Sequence, residues 1–97
     1  MSRRDEARRQ RLAERNSRVL HALCKLAEET EELITFGAIE AELERQHPGC
    51  YDMHEALGAL LFLEENALVQ GTPQKEGCAM PLLRPTEDGM SSYKAAQ

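Results

Sequence analysis

The stretch Tyr51-Asp52-Met53-His54-Glu55-Ala56-Leu57-Gly58-Ala59-Leu60-Leu61-Phe62-Leu63-Glu64-Glu65-Asn66-Ala67-Leu68-Val69 decides how the chain is read. Asp52 precedes an apolar run and Glu55 follows three residues later. That is the spacing of a capping box, in which the first carboxylate accepts free backbone N–H groups and the second reaches back to the cap. A helix is therefore expected from Asp52 to about Glu65. At 100° per residue, Met53, Ala56, Leu60 and Leu63 form its buried stripe. Leu61 then falls about 100° from Leu60, and Phe62 lies further round. An apolar pair there marks a surface that packs on something, whether a dimer mate, another partner or a helix of the same chain.

Working outward, the segment from Arg3 to Glu32 contains neither Pro nor Gly and reads as one long helix. Its second half is amphipathic, with Val19, Leu20, Leu23, Cys24 and Ala27 on one face. In the first half Leu12 is the one large apolar residue after Met1. The run Glu28-Glu29-Thr30-Glu31-Glu32 ends this helix poorly, because carboxylates are unfavourable at the negative end of the helix dipole. A second helix, capped by Thr35, is expected over Phe36–Gln46 with Ile39 and Leu43 inward. His47-Pro48-Gly49-Cys50 then breaks the chain into a turn. Beyond the third helix, Ala67–Gln70 and Met80–Arg84 are short strand candidates around a loop from Gly71 to Cys78. Thr86 caps a last helix, whose first turn Gly89 weakens.

The order helix, helix, turn, helix, hairpin, helix, together with Leu60, Leu63, Ala67, Leu68 and Val69 and then Leu83, Thr86 and Gly89, resembles the bacterial winged helix-turn-helix superfamily. There a recognition helix ends in "L-x-x-L-x-x-x-G-L-V", and a two-stranded wing leads to "L-T-x-x-G" and a final helix. The resemblance covers about residues 17–95. It implies a mainly α fold with a small β-hairpin, a long N-terminal helix and a wing, and it implies DNA binding and a regulator of the transcription type.

Charge divides the chain. Seven arginines against Asp5, Glu6 and Glu14 give residues 1–18 a net +4, while five basic against 14 acidic side chains give the other 79 residues −9, which together make the −5 of the whole. We therefore divide the chain into a basic N-terminal arm or helical extension, 1–16, and a winged-helix domain, 17–97. Arg3, Arg4, Arg8, Arg9, Arg11, Arg15 and Arg18 are the candidate nucleic-acid contacts. Arg4, Arg8, Arg11, Arg15 and Arg18 recur at a 4-3-4-3 spacing that keeps one helix face basic. The third helix offers Tyr51, Asp52, His54, Glu55 and Gly58 instead, and there is no Lys or Arg from Gln46 to Gln74. Phosphate neutralisation supplies most non-specific DNA affinity, so this helix is a poor groove reader. On the wing, Lys75 and Arg84 are weaker candidates. Leu61 and Phe62 are the candidate partner interface, with a homodimer expected.

Other chemistries find little footing. The sequence has no phosphate-binding G-x-x-x-x-G-K-[ST] loop, no nucleophile elbow and no H-E-x-x-H motif, so no enzyme is expected. His47, Cys50, His54 and Cys78 lack the paired spacing of structural zinc sites, and no metal or other cofactor is expected. Cys24 reads as a small core residue. Three cysteines without framework spacing fit free thiols in a reducing cytoplasm. The opening residues carry no signal-peptide pattern, and the longest apolar run is too short to span a bilayer, so a cytoplasmic protein without membrane contact is expected. The alternative to a DNA-binding regulator is a winged-helix module that holds a protein partner, competing with DNA for a basic one.

Overall fold

The computed structural model describes residues 3–73 and 80–96. They form α1 (Arg3–Glu29), α2 (Phe36–Gln46), α3 (Met53–Glu65), β1 (Val69–Thr72), β2 (Leu82–Pro85) and α4 (Glu87–Ala95). The fold is mainly helical with one antiparallel hairpin, in which Val69 pairs with Pro85 and Thr72 with Leu82. Each expected cap is present. Thr35, Asp52 and Thr86 accept from the backbone N–H groups of Ala38, Glu55 and Gly89 respectively.

Helix α1 crosses the middle of the molecule and packs on α2, α3, β2 and α4. Its apolar stripe supplies Val19, Leu20, Ala22, Leu23, Cys24 and Ala27 to the core, where Ile39 and Leu43 of α2 and Ala56, Ala59, Leu60 and Leu63 of α3 meet it. The phase of α3 differs slightly from expectation. Met53 is exposed, and Ala59 takes the inward position instead. The first turn of α3 enters the core through Ala56, and Met53 is left outside it.

Helix α1 stops at Glu29 rather than Glu32. The Thr30 hydroxyl accepts from the Glu32 N–H and bends the chain. Ile34 then forms a bridge with Leu83, with N–H to O distances of 2.8 and 2.7 Å between their backbones. The last turn of α1 has no basic residue of its own. Arg84 supplies one from β2, its Nη1 donating to the carbonyl oxygens of Thr30 and Glu32, each at 3.0 Å. A cation on these carbonyls answers the negative end of the helix dipole that the glutamates aggravate.

The strands begin two residues later than expected, because Ala67 belongs to the end of α3. Its φ is 58°. Ala67 N–H donates to Glu64 O and Leu68 N–H to Leu63 O, the bond pair of a Schellman motif, with Ala67 in the left-handed position that glycine usually fills. Leu68 is half-buried against the core. Its carbonyl accepts from Thr86 N–H at 3.0 Å, and the Thr86 hydroxyl donates to Ala67 O at 2.7 Å. Gly89 completes the joint. A Cβ on it would lie 2.1 Å from Leu68 O, so only glycine lets α4 approach this closely.

Between α1 and α2, Glu42 is buried and receives Arg45 and Gln46 from its own helix and Lys25 from α1. The Arg45 hydrogen bond, against the cost of burial and with help from Gln46 and Lys25, holds its carboxyl at about 2, below the ordinary 4.5.

Three outcomes are expected. Gly89→Ala meets backbone that cannot yield and should cost at least about 1–3 kcal/mol, whereas Ala67→Gly should gain about 1 kcal/mol or less by relieving the left-handed residue. Urea denaturation of the pair measures both, and a stable Gly89→Ala variant would mean that α4 sits elsewhere. Because the folded Glu42 value lies below the unfolded one, its contribution is present above pH 4.5 and is lost as pH falls towards 2. Glu42→Gln should therefore flatten the acid side of the stability profile, as followed by circular dichroism.

Candidate nucleic-acid interface

The seven arginines of the arm lie on one unbroken helix, and the expected boundary at residue 16 falls inside α1. Burial begins at Asn16. Arg3, Arg4, Arg8, Arg9, Arg11 and Arg18 are exposed, and Arg15 is half-buried. Four members of the 4-3-4-3 stripe, Arg8, Arg11, Arg15 and Arg18, line a groove of about 530 Å³. Its opposite wall is the turn between α2 and α3, with His47, Cys50, Tyr51 and Asp52, and then Glu55 and Ala56 of α3. The basic face of α1 and the start of α3 therefore share one concavity. Spacing alone could place the arginines on a face, but only the packing of α1 over α3 shows what that face overlooks.

Arg15 differs from its neighbours. Its Nε donates to Asn16 Oδ1 at 3.1 Å and its Nη1 to Glu55 Oε2 at 3.3 Å. Glu55, expected to fold back on the helix cap, is thus turned to α1. The guanidinium lies over Gly58, where a Cβ would be only 3.0 Å from Nη1. Arg15 contributes to the groove already paired with a carboxylate, while Arg8, Arg11 and Arg18 edge it in solvent.

The turn forming the far wall is tied down locally. Gly49, at φ +78°, donates its N–H to Glu44 Oε1, and the Tyr51 hydroxyl donates to the Glu40 carboxylate. Burial, together with that carboxylate, pushes the Tyr51 phenol above its ordinary value. Tyr51 is therefore a neutral wall residue at physiological pH.

On the hairpin side, Lys75 lies outside the described residues, and Arg84 is committed to the carbonyls at the end of α1, a role its sequence position does not announce. Leu61 and Phe62 are 63% and 44% exposed. Phe62 borders a shallow hollow with Ala13 and Ser17 of α1 and Ser92 of α4. Met53 and half-buried Leu57 extend the apolar surface along α3.

His47 and Cys50 sit on the groove, and Cys78 lies outside the described residues. Among the described residues, no three of His, Cys, Asp and Glu are grouped to hold a metal ion. Cys24 is fully buried, its thiol pushed up to about 11 by burial and then by Glu28. No helix of the described residues is long and apolar enough to cross a membrane. Comparison with protein-family models, curated proteins and solved structures gives no match.

The contact between Arg15 and Gly58 generates an expectation. In Gly58→Ala the new methyl meets only the end of a flexible side chain, so the helix-propensity gain of about 0.8–1 kcal/mol should dominate and raise the thermal midpoint. A lowered midpoint would show that the Arg15 seat is rigid.

Proposed function

We propose that this chain is a small, non-enzymatic regulator of the winged-helix kind, and that it holds nucleic acid through the arginine face of α1. The single observation behind the reading is the arginine stripe on one continuous, solvent-exposed helix face beside the α2–α3 turn. Guanidinium groups spaced along a helix suit phosphate oxygens, to which they donate fork-like hydrogen bonds. Helix α3 with its cap carries Asp52, Glu55, Glu64 and Glu65 and no Lys or Arg, so it repels the backbone that a groove-reading helix must approach. Binding of this form is strong at low salt and indifferent to base sequence.

The winged-helix assignment is supported by the element order and by the physical roles of three motif positions. Ala67 takes the left-handed residue at the end of α3, Thr86 caps α4, and Gly89 allows the close approach to Leu68. The reading of the body as a protein-holding module has its own support in the apolar outward face of α3.

A titration of random duplex DNA against salt tests the nucleic-acid reading. With about four phosphate contacts, affinity should fall by roughly two orders of magnitude between about 50 and 200 mM salt. Replacing both Arg8 and Arg11 with Gln should lower the magnitude of the salt slope by about 2 and weaken all sequences alike. Absence of binding at the lowest salt, or a slope untouched by the double variant, would overturn it.

A further inference from the structure

The groove beside the arginine face is built in layers. Its floor is core, because buried Val19, Leu43 and Ala56 line it, and half-buried Leu12 of α1 adds to that apolar surface. Exposed Arg8, Arg11 and Arg18 stand along one edge. Carboxylates share the same space, Glu14 on α1 and Asp52 and Glu55 on the far wall. At about 530 Å³ the groove falls within the size of small-ligand sites, roughly 300–1,000 Å³. One base with its sugar fits such a space, and a paired duplex is too wide to enter.

The mixture of groups selects the occupant. Three carboxylates make the groove a poor seat for a bare anion, and the arginines make it a poor seat for a cation. The far wall presents acceptors. Asp52 uses Oδ1 to cap α3 and Glu55 uses Oε2 for Arg15, which leaves Asp52 Oδ2 and Glu55 Oε1 to receive N–H groups of a ligand. The Tyr51 hydroxyl on the same wall already donates to Glu40. An occupant that suits every layer carries phosphate for the arginines, a flat ring for the floor and an amino group for the carboxylates. An unpaired nucleotide of cytosine, adenine or guanine has all three, and carboxylates accept from the cytosine amino group in base recognition generally. In uracil and thymine a carbonyl oxygen replaces that amino group and meets the carboxylates acceptor to acceptor. A paired base cannot enter the groove, so contact with duplex stays indifferent to sequence.

We infer that the groove holds one unpaired, amino-bearing base of a single strand, while Arg8, Arg11 and Arg18 hold the phosphates beside it. The inference rests on nucleic-acid binding by the arginine face, and adds the strand state and the bases that this face takes.

The test is fluorescence anisotropy with the full chain at low salt. Its probes are labelled oligodeoxycytidine and oligodeoxyuridine of about eight nucleotides, within the site size of single-strand binders, and a mixed-sequence duplex long enough to stay paired. The cytidine strand should bind about tenfold tighter than the uridine strand. It should also bind tighter than the duplex, although the duplex carries the denser charge. Asp52→Ser, which keeps a capping oxygen, combined with Glu55→Ala should strengthen uridine binding by removing repulsion, yet bring the two strands within about twofold of each other. Leu12→Lys adds a cation to the face, so charge alone would tighten every probe. With the floor altered, it should instead weaken the cytidine strand severalfold and leave the duplex unchanged or tighter. Equal binding of the two strands with a steep salt dependence would overturn the inference and leave the arginine-face reading standing. No binding of any probe would overturn both. A cytidine preference that survives both variants would place the base outside the groove and overturn the inference as well.

Discussion

The arrangement depends on one backbone carbonyl, that of Leu68. It accepts the Thr86 N–H and lies where a side chain on residue 89 would begin. This contact fixes three elements together. It holds the left-handed end of α3, it sets the register at which β2 leaves the hairpin, and it lays the first turn of α4 on the body. Gly89 then presents its own carbonyl to the Cys24 thiol of α1 at 3.8 Å, and Tyr93, one turn later, meets His21 edge-on with ring centres 5.1 Å apart. A side chain at position 89 would move α4 off α1 and uncover the core beneath Tyr93. The joint uses hydrogen bonds and contact at a point where no rearrangement of side chains can substitute.

Around this frame the arginines divide into two populations. Arg84, Arg45 and Arg15 face protein, on the carbonyls beyond α1, on Glu42 and on Glu55 respectively. The arginines of the first turns of α1, with Arg18, face solvent. The carboxylates follow a similar division, with Glu42 drawn into a buried cluster and most others left at the surface. The molecule that results has a cationic helix face and an anionic, partly apolar one. On the reading proposed here phosphate needs the first and is repelled by the second. The groove is where the faces meet, and Arg15 with Glu55 is the seam between them.

Features set within a few residues were legible in the sequence, and those set by distant packing were not. Thr35, Asp52 and Thr86 are caps because a side-chain oxygen reaches an N–H three residues on, a relation that needs no tertiary contact. Ile39 and Leu43 face inward by helical period. Met53 obeys the same period yet is exposed, because the core that takes Ala56 does not extend to the start of α3. The Ile34 bridge is a single residue and leaves no alternating pattern to read. Arg84 looked like a wing cation because its acceptors lie more than fifty positions away. In the candidate site the arginine face followed from spacing alone. The pairing of Arg15 with Glu55, forty positions apart, did not.

The central claim is that α1, and not the outward face of α3, meets nucleic acid. Mapping amide shifts of the isotopically labelled protein by nuclear magnetic resonance, as a short duplex is added at low salt, tests it most directly. The account predicts changes along residues 4–18 of α1 and in the α2–α3 turn, reversed by added salt, with Leu57, Leu61 and Glu65 of α3 unmoved. Changes centred on the outward face of α3, with the arginine stripe silent, would contradict it.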